Sequence, residues 1–176
     1  MANTNTNPNT GAVSRRLALQ MPLAGLGAAW LSSPLSAWAV GNDSLITVWK
    51  NPNCGCCKEW VTHLKKNGFN VVTNDIKDTA PIRQKLGLPA KFGSCHTAQL
   101  GAYVFEGHVP AQEIKRLMRE KPKAVGLAVP GMPVGSPGME VDNIQDAYDV
   151  LLVMADGSSR VYQSYPSKIV KSSVKS

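Results

Sequence analysis

Three of the four cysteines of this chain fall within four residues, Cys54-Gly55-Cys56-Cys57, and the fourth, Cys95, is followed at once by His96. Thiolates select Cu(I), zinc and iron–sulfur clusters, and they are also the nucleophiles of disulfide exchange. The spacing narrows these chemistries. Cys54-x-x-Cys57 fits a redox pair, but a third thiol beside an exchanging pair invites misdirected disulfides. A Cys56–Cys57 bridge is strained, because neighbouring Cα atoms sit at ~3.8 Å whereas disulfides prefer ~4.4–6.8 Å. Two structural staples therefore explain the cluster poorly. Adjacent cysteines also rarely close on one tetrahedral zinc, whose thiolate pairs are spaced by two to four residues. Three crowded thiolates can instead bridge several soft ions. An exported setting favours copper, as Cu(I), with zinc as the alternative and iron–sulfur the least suited.

The elements that must position these thiols are legible around them. Leu45-Ile46-Thr47-Val48-Trp49-Lys50 reads as a strand. Asn51-Pro52-Asn53 is turn chemistry, and a helix then opens at Cys56 or Cys57 and runs to about Asn67, where Gly68 stops it. Cys57, Trp60, Val61 and Leu64 form its apolar stripe. The helix N-terminus favours thiolate at Cys54 and Cys57. A second strand is expected over 69–73, a helix over 78–86, a third strand over 99–105 and a helix over 111–120 introduced by Pro110. A hairpin of 147–154 and 160–165 turns over Asp156-Gly157. The opening β-α-β requires a right-handed crossover and a parallel pair. The fold class is α/β: a sandwich with a mixed sheet that resembles a thioredoxin-type fold. Residues 122–142, rich in proline and glycine, read as a long loop, which at this length is usually a functional lid. Its Val125, Leu127, Ala128 and Val129 imply that it packs on something.

On that frame the loop before the third strand lies beside the cysteine turn, so Cys95 meets Cys54, Cys56 and Cys57, and His96 supplies a further donor or an orienting base. Met132 and Met139 bring soft thioethers in the lid, weighed against ordinary gap-filling. His63 shares a helix face with Cys56 but lies ~10 Å along it, so it reads as a surface or packing residue. His108 follows the third strand and is expected at its far end.

The N-terminus follows the plan of an export signal. Arg15-Arg16 precede an apolar run from Leu17 to about Trp30, and Ala37-Trp38-Ala39 is a small-x-small cleavage signal. The arginine pair resembles a twin-arginine address, although Ala18 stands where an aromatic is usual. The apolar run is shorter than the ~20 residues of a membrane span. The expected domains are thus a signal over 1–39 and one metal-binding domain over 40–176, located in the periplasm, with no stable membrane span after cleavage. Loss of Arg15 and Arg16 lowers the net charge of the 176-residue chain from +7 to +5. The lysines are scattered and not interleaved with aromatics, which implies a solvated surface and no nucleic-acid partner.

Four ordered motifs resemble the CopG-type family of periplasmic copper-resistance proteins. They are Trp49 through Val61 around the cysteine run, Ser94-Cys95-His96-Thr97-Ala98, Glu106-Gly107-His108-Val109-Pro110, and Gly126 through Glu140. Together they cover about residues 45 to 155. The resemblance implies a thioredoxin-like fold, copper held by the three clustered cysteines plus Cys95, and copper-export components as neighbours or partners. It does not supply a reaction. A copper-binding protein that sequesters Cu(I) or interconverts its oxidation state, and a thiol–disulfide oxidoreductase using Cys54 and Cys57, are the two functions carried forward.

Overall fold

The computed structural model describes residues 45–142 and 144–169. The expected export signal, and Lys171 and Lys175 of the tail, lie outside them. Among the described residues no helix is long and apolar enough to cross a membrane.

Strand β1 (Leu45–Lys50) buries Ile46, Val48 and Lys50 and turns its other residues outward, the alternation a pleated strand imposes. Helix α1 (Gly55–Lys66) buries Cys57, Trp60, Val61 and Leu64, the stripe expected from its 3.6-residue period. It returns the chain to β2 (Asn70–Asp75), which pairs parallel to β1. Helix α2 (Ala80–Lys85) and a 3-10 turn (Ala90–Phe92) lead to β3 (His96–Leu100), antiparallel to β1.

Here the structure corrects the sequence reading. The single strand expected over 99–105 is a hairpin of β3 and β4 (Tyr103–Glu106), closed by the two residues Gly101-Ala102. Gly101 has φ +57°, a conformation that glycine adopts without penalty. Helix α3 (Ala111–Glu120) follows, bounded as expected.

The second correction concerns the proline- and glycine-rich segment. It is not loop throughout: β5 (Gly126–Ala128) is an interior strand, parallel to β4 and antiparallel to β7 (Tyr148–Val153). Gly126 lacks a Cβ because one would overlap the Val104 backbone of β4. β7 and β8 (Ser159–Tyr165) form the hairpin expected over Asp156-Gly157. β6 (Ile144–Gln145) and β9 (Lys168–Ile169) make a separate two-stranded ribbon. The main sheet has seven strands in the order β2-β1-β3-β4-β5-β7-β8.

The larger core lies between one face of this sheet and helices α1 and α3. Trp60, Leu64, Ile114 and Leu117 pack there on Ile46, Val48, Ala98, Phe105 and Leu152. On the opposite face Leu88 and Phe92 pack on Val104, Ala128 and Val153. The fold is therefore mixed α/β with helices on both faces.

Candidate metal centre

The cysteine turn is built by local hydrogen bonds. Asn53 N–H donates to Asn51 Oδ1 at 2.9 Å and Cys54 N–H to Asn51 O at 3.1 Å. Cys54 is the N-cap of α1, where its sulfur accepts from Cys57 N–H at 3.3 Å in the place an oxygen usually takes. Cys54 and Cys57 are joined as a disulfide, so neither titrates in this state, while Cys56 and Cys95 are free. Cys56 Sγ lies 3.4 Å from Cys54 Sγ. Cys57 is fully buried, with its sulfur 3.6 Å from Cys95 O. All four sulfurs lie within 4.8 Å of one another.

Cys95 belongs to a second group as well. Its Sγ lies 3.3 Å from His96 Nδ1 and 3.2 Å from His108 Nε2, and these three ligand atoms also lie within 4.8 Å of one another. The splitting of the expected third strand explains why His108 is here and not at the far end. β4 runs back beside β3, so Gly107 and His108 return to the end of the sheet that carries Cys95. The signal was Leu100-Gly101-Ala102-Tyr103, a two-residue turn inside an apolar run.

One hydrogen bond fixes the His108 proton. His108 Nδ1 is 2.8 Å from Pro137 O, which can only accept, so Nδ1 carries the proton and Nε2 offers its lone pair to Cys95. The Cys95 S–H then donates to His108. His96 Nε2 is wholly buried and has no hydrogen-bond partner. Burial, then the neighbouring His108, pull the His96 pKa down to about 3. Burial likewise lowers His108. Both rings are therefore neutral, the form that binds metal. Burial, then the charge of Cys56, push the Cys95 thiol up to about 12, so a metal must displace its proton. His96 also packs tilted against Trp60, with ring centroids 4.3 Å apart and planes at 38°. Four sulfurs, two neutral imidazoles and an orphaned buried nitrogen fit a soft metal cargo.

Residues 131–140 strap across this centre. Ser94 Oγ donates to Gly131 O at 2.6 Å, and Pro137 O accepts from His108. Gly138 (φ +86°) lies so close to α1 that a Cβ there would stand 2.6 Å from Trp60 N and 2.8 Å from Cys56 O. Met139 is half-buried beside it, whereas Met132 is 54% exposed. His63 is occupied elsewhere: its Nε2 accepts from Ala111 N–H at 3.1 Å, at the start of α3.

A mixed α/β sheet that gathers four cysteine sulfurs and two buried imidazoles at one end defines a metal-binding protein of the cysteine-cluster class. Residues 92–139 match the model of a family described as "Protein of unknown function, DUF411". Two solved structures, "Copper resistance protein copG- Form 1" and "Form 2", are each 48% identical to the chain with a TM-score of 0.66. The alignments cover 69% of this chain and 97% and 98% of those. No curated protein matches. The chain belongs to the CopG-like copper-resistance family.

Proposed function

We propose that this chain is a periplasmic protein that takes up Cu(I) for sequestration or resistance through the thiolates of Cys54, Cys56, Cys57 and Cys95. His96 and His108 add imidazole donors, and Met139 and Met132 are accessory thioethers of the strap. The observation that carries this reading is the double membership of Cys95, shared by a four-sulfur group and a Cys-His-His group. A thiol common to two donor sets is suited to bridging, so the centre accommodates more than one copper ion. A lone zinc would need Cys56 and Cys57, adjacent in sequence, on one tetrahedron, which favours copper over zinc. The names of the two similar structures support copper as the cargo. Residues 1–39 serve as an export signal of twin-arginine type, and copper-export components are the expected recipients. The β2-β1-β3-β4 order, with α1 and α3 on one face and α2 on the other, supports a thioredoxin-type frame extended by β5, β7 and β8.

The test is metal analysis with thiol counting on protein purified anaerobically after growth with copper, beside Cys56→Ser. Copper above one equivalent that falls in the variant is expected. Metal-free protein whose single Cys54–Cys57 disulfide is unaffected by the variant would sink this reading.

The disulfide itself favours a second reading, thiol–disulfide exchange. In it the half-exposed Cys54 thiolate attacks a partner disulfide. The buried Cys57 thiolate then displaces the mixed disulfide, leaving the partner with two thiols and this chain with its bridge. That reading requires exchange rates indifferent to Cys56→Ser and Cys95→Ser.

A further inference from the structure

Behind the metal centre, on the α2 face of the sheet, lies a buried carboxylate that the copper reading does not use. Glu106 is wholly buried at the end of β4. Its Oε1 accepts from Ser94 N–H at 2.7 Å and from Arg83 Nε at 2.8 Å, and its Oε2 accepts from Thr97 Oγ1 at 2.7 Å. Arg83 Nη2 reaches the same carboxylate at 2.8 Å and also donates to Ser94 O at 3.1 Å and Thr79 Oγ1 at 3.0 Å. One carboxylate thus holds the residue before Cys95, the residue after His96 and, through its own backbone, the stretch leading to His108.

Stability alone is a weak explanation of this arrangement. A buried ion pair often contributes no more to folding than well-packed apolar side chains would. What it does provide is rigidity at the place where donors must be held. The surrounding loop has no slack either. A Cβ at Gly107 would overlap Val129 O and stand 2.8 Å from Ser94 Oγ, and one at Gly93 would stand 2.9 Å from Arg83 Nη1.

We propose that Glu106, clamped by Arg83, is the positioning residue of the metal centre: it holds Cys95, His96 and His108 as one pre-organised donor set and so sets copper affinity and coordination. The inference rests on the copper-binding reading above. Groups that orient metal ligands typically change metal affinity by 10- to 100-fold when replaced.

The test compares the reduced full chain with Glu106→Gln, which keeps the side-chain shape, and with Thr97→Val, which removes one bond to the carboxylate. Cu(I) affinity is read by competition with a chromophoric Cu(I) chelator, and coordination by the thiolate-to-copper absorption bands. Cooperative thermal melting of the metal-free forms reports the fold. Glu106→Gln is expected to weaken Cu(I) by about 10- to 100-fold and to shift the bands, with a smaller change in the same direction for Thr97→Val. In a Cys95→Ser/His108→Ala background the effect of Glu106→Gln should shrink, because two of the three donors it positions are gone. If Glu106→Gln loses cooperative melting, Thr97→Val carries the same comparison. Wild-type affinity and bands in the variants, or an equal loss in the background lacking both donors, would overturn the inference alone. A reduced wild-type chain that binds no copper overturns the parent reading with it.

Discussion

His108 and Cys95 meet at 3.2 Å although they leave different strands, and the His108 ring is aimed by the Pro137 carbonyl on its far side. A histidine held through Nδ1 with Nε2 facing a thiol is oriented for a metal before any metal arrives. Replacing His108 by alanine should therefore weaken copper by about 10-fold or more. His63→Ala should leave copper affinity unchanged and instead cost about 1 kcal/mol of stability, because His63 accepts a helix-start N–H at Ala111. Chelator competition and thermal melts on the two variants separate these effects; equal copper losses would contradict the assignment.

Gly138 offers a way to perturb the strap without removing a donor side chain. At φ +86° an alanine is strained by about 1–2 kcal/mol, and its Cβ would press on Trp60 N and Cys56 O. Gly131→Ala carries the same kind of strain at φ +72° but meets open space. Faster copper loss to excess chelator in Gly138→Ala than in Gly131→Ala is the expected result. Matching release rates would mean that the strap does not retain the metal.

Copper loading should depend on the oxidation state of the cysteine turn. With Cys54 and Cys57 bridged, Cys56 and Cys95 are the two free thiols, and reduction raises the count to four. The reduced chain should bind more copper per molecule than the oxidised chain, and Cys54→Ser, which keeps three thiols, should fall between them. Metal analysis beside a thiol titration measures this. Identical stoichiometry in both states would remove Cys54 and Cys57 from the ligand set.

Acid should destabilise the metal-free protein through its histidines. His63, His96 and His108 are all lowered in the fold, chiefly by burial, whereas unfolded histidine titrates near ~6.5. Below that pH the unfolded chain takes up protons that the folded chain refuses, so stability is complete above it and falls as pH drops toward the folded values. Melting temperatures should decline from about pH 7 to about pH 5, less steeply in His63→Gln. A flat profile would contradict buried neutral rings.

Much of this architecture could be read from the chain because it is local. The α1 stripe, the Asp156-Gly157 turn and the bounds of α3 depend on neighbouring residues, and all are found. The proximity of Cys95 to the cysteine run followed from the strand–turn–helix frame. A strand running through Gly101-Ala102 puts His108 at the far end of the sheet, whereas the turn formed there brings it back beside Cys95. β5 is not legible in the sequence because three residues between prolines carry no period; only the pairing with β4 and β7 makes them a strand. Glu106 stood in a motif, but nothing in sequence spacing links it to Arg83.

The strap is anchored on both sides of the centre. Ala128 is sewn into the seven-stranded sheet, and Ile144 is paired in the ribbon with β9. A segment tethered at both ends cannot swing away like a door on one hinge; it can only bow outward between its moorings. The roof over the cysteine end of the sheet can therefore flex without coming loose from the fold.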